Sequence, residues 1–126
     1  MKSYFYIFLF STVLFTGCAN KILHKSQSAT IILKTPTMKF YDMGFINIYD
    51  KYIQLQIFNI GQVVLDLKVY KDEVCQGRFE CMSASKFNSL YLSKTYSDSF
   101  LYDLLKQDYV RFKDKENNIF IKIIKK

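Results

Sequence analysis

Lys51 to Tyr70 reads KYIQLQIFNIGQVVLDLKVY. In its first half, Ile53, Leu55 and Ile57 alternate with Gln54 and Gln56. In its second half, Val63, Leu65, Leu67 and Val69 alternate with Asp66 and Lys68. Side chains on a strand point to opposite faces in turn, so this pattern predicts two strands, each with one buried face. The turn must then place both apolar sets on the same side. A three-residue loop, Asn59-Ile60-Gly61, sets Ile57 opposite Val63, Leu55 opposite Leu65 and Ile53 opposite Leu67. A two-residue loop turns one apolar set to water. Gly61 supplies the left-handed residue that a three-residue hairpin needs at its last loop position.

The same reading extends outward from this hairpin. Upstream, Ala29 to Lys34 is rich in β-branched residues and predicts a strand that Pro36 stops. Thr37 to Asp42 and Phe45 to Tyr49 read as two further strands joined through Met43-Gly44. Downstream, Lys71-Asp72-Glu73 is a polar turn, and Cys75 and Cys81 follow with five residues between them. Ser83 is placed to cap a helix from Ala84 to about Leu92, with Phe87, Leu90 and Tyr91 on one side. Ser97 is placed to cap a second, Asp98 to about Gln107, whose apolar stripe is Phe100, Leu101, Leu104 and Leu105. Tyr109 to Lys113 and Ile119 to Ile124 close the chain as a hairpin around Asp114 to Asn118. The order predicts an α+β domain: a curved antiparallel β-sheet, meander plus C-terminal hairpin, covered by two helices.

The N-terminus has a different character. After Met1-Lys2, Tyr4 to Phe15 form an apolar run interrupted only by Ser11 and Thr12. It is shorter than the roughly 20 residues a membrane-spanning helix needs, and it reads as an export signal. The run closes on Leu14-Phe15-Thr16-Gly17-Cys18. A small residue before a cysteine is the requirement for cleavage and lipid attachment at the thiol, so Cys18 is expected to begin the mature chain with a covalent lipid, palmitate included. The expected organisation is a signal peptide over 1–17, a lipidated tether over 18–28 that carries the single histidine, His24, and one domain over 29–126. No aspartate follows Cys18, which by resemblance to bacterial lipoproteins favours the outer membrane and a periplasm-facing position.

Cleavage at that point leaves 109 of the 126 residues, enough for one core and too few for two domains. The net charge of +7 falls to +6 with the loss of Lys2. Sixteen of the 18 basic residues are lysines, scattered along the chain; lysine is a hydrated point charge less suited than arginine to bidentate phosphate or base contacts. Nucleic acid is therefore not an expected partner, and the charge fits solubility and attraction to anionic head groups. In an exported protein Cys75 and Cys81 are expected to form a disulfide, contributing about 2 kcal/mol.

Catalytic chemistry finds little to work with. One histidine in a tether does not build a nucleophile-base pair, and Asp98, Asp103 and Asp108, spaced by five, do not line one helical face. Two thiols without nearby histidines make no metal site. No enzyme activity, cofactor or metal is expected. Apolar surface remains: Tyr52, Phe58, Val64 and Tyr70 fall on the face of the hairpin that should be polar. With Met43 and Phe45 they form a candidate surface for an apolar ligand or a partner.

The lipobox-like start, the KYIQLQIFNIGQVVLDLKVY hairpin, YLSKTYSDSFLYDLLK and the closing IFIKIIKK together resemble small proteobacterial outer-membrane lipoproteins of unassigned function. More distantly, residues 45 to 124 are similar to the half-barrel lipoproteins of the LolB type. That resemblance implies a curved, half-barrel-like sheet and a function in accepting an acylated ligand, such as a lipoprotein handed over by a periplasmic carrier. Met43-Gly44-Phe45 stands as the counterpart of the family's membrane-directed apolar loop. The expected function is a lipid-anchored, non-catalytic binding module for an acylated or apolar ligand; the alternative is a structural or protein-interaction lipoprotein of the envelope or cell surface. Replacing Cys18→Ala is expected to leave an unprocessed, unlipidated precursor, read as the intact mass of the membrane-extracted protein; a lipidated product from that variant would refute the assignment.

Overall fold

The computed structural model describes residues 22–78 and 80–126; the expected export signal, Cys18 and the first part of the expected tether lie outside them. Eight strands form one antiparallel sheet: β1 (Leu23–Lys34), β2 (Lys39–Tyr49), β3 (Ile53–Asn59), β4 (Gln62–Val69), β5 (Glu73–Gln76), β6 (Glu80–Ser83), β7 (Val110–Asp114) and β8 (Ile119–Lys125). Their order across the sheet is β6-β5-β4-β3-β2-β1-β8-β7. Two helices, α1 (Ala84–Tyr91) and α2 (Phe100–Lys106), lie between β6 and β7 in the chain. Because β6 and β7 are the two edges of an open sheet, the helical segment has to cross from one edge to the other. It does so over one face only.

Between the helices and that face sits the core. Ala29, Ile31 and Leu33 of β1, Ile53, Leu55 and Ile57 of β3, and Ile119, Ile121 and Ile123 of β8 are buried against Phe87, Leu101, Tyr102, Leu104 and Leu105. Each such side chain contributes about 1.5–3 kcal/mol by leaving water. The hydroxyl of Ser83 accepts a hydrogen bond from the amide of Lys86 at 3.2 Å, so the predicted cap of α1 is present. The ammonium of Lys125 donates to the carbonyls of Leu105 and Gln107 at 3.2 and 2.6 Å, tying the end of α2 to β8. Burial lowers the pKa of that ammonium.

The central hairpin keeps both apolar sets on the core side, but by a different device. The loop is two residues, Ile60-Gly61, with φ of 50° and 73°, and Asn59 pairs with Gln62. A bulge follows: Phe58 faces Val63, and the next pair is Ile57 with Leu65. Val64 is the extra residue, and it shifts the partner set to Leu55 with Leu67 and Ile53 with Val69. Parity is restored inside the strand instead of in the loop. Val63 consequently lies exposed rather than opposite Ile57.

Four other expectations change. Residues 23–28, assigned to the tether, belong to β1 and pair with β2 from Tyr49 to Phe45. The two strands expected on either side of Met43-Gly44 are one continuous strand, so this stretch is neither a turn nor a membrane-directed loop. Gly44 is needed for close approach: a Cβ there would stand 2.0 Å from the Gln56 carbonyl oxygen and 2.6 Å from Ile31 Cδ1. Ser97 does not cap α2, which begins at Phe100, after Ser99. Cys75 and Cys81 sit in a fifth and a sixth strand that the short polar segment did not announce.

Gly44→Ala is expected to cost about 1–3 kcal/mol or more through overpacking, whereas Gly61→Ala, with open space around its Cβ, costs about 1 kcal/mol of backbone strain. Urea midpoints measure both. An unchanged midpoint for Gly44→Ala would remove the close-approach explanation.

Candidate functional site

The face of the sheet away from the helices is uncovered, and its composition follows from the register. In an antiparallel sheet, residues directly paired across strands share a face. Ser26, Asn47, Gln54 and Asp66 run across β1 to β4 as a polar ladder. The Ser26 hydroxyl donates to Asn47 Oδ1 at 2.6 Å, Asn47 Nδ2 to Gln54 Oε1 at 3.2 Å, and Gln54 Nε2 to Asp66 Oδ1 at 3.1 Å. Gln54 is thus engaged on both sides, accepting from Asn47 and donating to Asp66.

The six residues marked out as an apolar surface separate into two groups on either side of this ladder. Phe45 and Phe58 meet edge to face at 5.6 Å, with Met43 and Val64 exposed on the same side; the Thr30 hydroxyl donates to Met43 Sδ at 3.4 Å. Phe45 is 41% exposed. Tyr52, by contrast, is buried: it stacks on Tyr49 at 4.6 Å and against Tyr70 at 5.1 Å. Burial, then Tyr49, Tyr70 and Asp66, raise its pKa. Tyr52 and Tyr70 are therefore packing residues. The available apolar surface is Met43, Phe45, Phe58 and Val64.

Toward the other end of β1 the same face turns cationic. Lys113 pairs with Phe120, Phe120 with Lys34, and Lys34 with Lys39; in the next row Arg111 pairs with Lys122, Lys122 with Ile32, and Ile32 with Tyr41. Tyr41 is 71% exposed. The two ion pairs among the described residues, His24 with Asp50 and Lys25 with Asp108, involve none of these cations. An open cleft of about 420 Å³ lies at this end of the sheet, lined by Lys34, Lys113, Lys115 and Phe120 and also by Asp114.

The helix-covered side is tighter among the described residues. The cavity between Ile31, Leu55, Leu67, Phe87, Leu101, Leu105 and Ile121 is about 10 Å³, no more than a water-sized void. Cys75 and Cys81 are cross-strand partners bonded at 2.05 Å, so the neighbouring Glu73 gains no thiolates with which to hold a metal. His24 lies in β1 beside the exposed Asp50, and no hydroxyl bonds to it among the described residues. Asp98, Asp103 and Asp108 are exposed and separate; Asp103 accepts from Ser99 at 2.9 Å.

No family model, curated protein or solved structure matches the chain. What the site does has to be read from its own residues.

The cationic rows were hidden in the sequence by distance. Arg111, Lys122, Lys34 and Lys39 are scattered lysines and an arginine until β1 is known to lie between β2 and β8. The signal that finds them is parity: each alternates with a core residue of its own strand.

A second polar cluster braces this end of the molecule. Tyr96, Phe100 and Phe112 pack with centroids 4.4 to 5.7 Å apart, and the Tyr96 hydroxyl donates to Asp114. Asn117 donates to the same carboxylate at 2.7 Å. The Asn117 side chain first, and Tyr96 second, hold the Asp114 carboxyl below its usual range, while burial and Asp114 push the Tyr96 phenol well above its own. A depressed carboxyl stabilises the fold above its unfolded pKa and loses that contribution as pH falls through the folded one. Tyr96→Phe should therefore destabilise most above about pH 5 and progressively less below about pH 4. Denaturation at a series of pH values checks this, and a pH-independent difference would exclude the Asp114 linkage.

Proposed function

We propose that this chain is a lipid-anchored, non-catalytic lipoprotein of the cell envelope, positioned at the periplasmic face of the outer membrane, that works through the uncovered face of its sheet. The observation that carries the reading is the contrast between the two faces. One is covered by helices over a core whose internal void is about 10 Å³, and the other leaves Met43, Phe45 and Val64 exposed and Phe58 half-buried beside rows that carry five cations. Apolar side chains gathered on one face are a contact surface in search of a second body.

The export-signal pattern and Cys18 supply the anchor in this reading, and the disulfide suits an oxidising compartment. The acyl-acceptor function implied by the LolB-type resemblance needs a place for a hydrocarbon chain. Beneath the helices the free volume is about 10 Å³, so an apolar ligand has only the outer face to use. Contact with a large surface fits that face better than enclosure of a small ligand.

Site-specific thiol labelling of the intact lipoprotein in its own membranes tests the proposal. A cysteine at Phe45→Cys is expected to react severalfold more slowly than one at Asp103→Cys on the helix side, and the two should become equal once detergent releases the protein. Equal reactivity in the membrane would mean that the open face has no occupant.

A further inference from the structure

Deepening the reading just given, and resting on it, we propose that the occupant of the open face is the anionic lipid surface itself, seated on the cationic rows of β7, β8, β1 and β2. The outward residues of these four strands include Arg111, Lys113, Lys122, Lys34 and Lys39 and not one carboxylate. The nearest acidic groups are accounted for. Asp114 is turned to Tyr96 and Asn117, Asp42 accepts from Asn59, and Glu116 lies in the turn beside Lys115. Asp66, the acidic residue on the outward face of β4, is hydrogen-bonded to Gln54.

The cations are interleaved with side chains that favour the head-group region. Phe120 stands between Lys113 and Lys34 in one row, Ile32 and Tyr41 complete the row of Arg111 and Lys122, and Ile124 and Met43 flank Thr30 in the row beyond. Phenol rings sit where one end meets hydrocarbon and the other water, and lysine stems lie along apolar surface with the ammonium held out. A row of basic residues with an aromatic between them thus matches a charged interface. A soluble anion would be held by the charges alone and would leave Tyr41 and Ile124 in water.

The position of the patch also fits the anchor. β1 starts at Leu23, close in sequence to Cys18, with Ile22 and Leu23 both exposed, and it delivers Lys34 at its far end. At about 3.4 Å per residue, the two ends of β1 stand nearly 40 Å apart. A lipid at one end and a cationic seat at the other hold the sheet flat against the bilayer. Between the two ends, the outward residues of β1 are the uncharged Ser26, Ser28, Thr30 and Ile32.

The full-length lipidated protein, reconstituted in vesicles of phosphatidylglycerol and phosphatidylethanolamine, tests this. A fluorophore at Tyr41→Cys should be quenched by a head-group quencher, while one at Asp103→Cys should not. Quenching should fade with added salt and be absent in phosphatidylcholine vesicles. Lys34→Glu with Lys113→Glu should shift the docked-to-undocked ratio about tenfold or more toward undocked, with the circular dichroism spectrum unchanged. Equal quenching at both positions, or quenching that persists in phosphatidylcholine, overturns the proposal. Binding of soluble dextran sulfate without quenching in the vesicles also overturns it, in favour of a polyanionic polymer. If Phe45→Cys stays protected in native membranes while Tyr41→Cys is never quenched, the contact-face reading stands and the lipid seat alone fails. If neither site is covered, both fail.

Discussion

Everything in this molecule depends on β1 being paired on both sides. Along Ala29 to Lys34 it bonds to β2 on one flank and to β8 on the other, and Ala29, Ile31 and Leu33 are almost wholly buried beneath the helices. Without that double pairing the chain is a six-stranded meander and a separate hairpin. With it, the C-terminal hairpin joins the sheet at the edge farthest from β6. The helical segment must then cross the whole sheet to connect them. A single set of backbone hydrogen bonds thus decides which face is covered.

The covered face is closed by ordinary means: apolar side chains from seven strands meet two short amphipathic helices, with Lys125 over the carbonyls of one helix end and Tyr96 bridging to Asp114. Neither helix is long enough to be stable alone, so both are held by packing. The uncovered face is open for the complementary reason. Among the described residues no element lies on it, and its side chains divide into a hydrogen-bonded polar ladder, an apolar cluster and a cationic end.

Much of this fold was legible from period-two alternation, because a strand with one buried face must alternate. The inward sets of the central hairpin and of β8 follow that rule directly, and the cap of α1 follows from a serine hydroxyl placed to accept from the first helical turn. Misreadings occurred where two solutions satisfy the same rule. The hairpin needed both apolar sets on one side; a three-residue loop and a two-residue loop with a bulge both achieve it, and Ile60-Gly61 with Val64 adopt the second. Gly44 reads as a turn in one dimension. Only the backbone of Gln56 lying against it in the next strand shows that its missing side chain serves close approach. Tyr52 and Tyr70 look available on an outward face until Tyr52 is seen packed between Tyr49 and Tyr70.

By itself, the sequence determined which residues face inward along most of the central hairpin, that helices follow the meander, and a covalent expectation: that Cys75 and Cys81 are near enough along the chain to bond. It also marked Cys18 as the place where lipid would be attached. Only the tertiary structure decided which strands become neighbours. Lys34, Lys39, Arg111, Lys113 and Lys122 come from four strands and form one surface because of long-range pairing between β1 and β8. Alternation is a property of each strand alone and carries no information about its partner, so a surface built across strands exists only once the sheet is assembled.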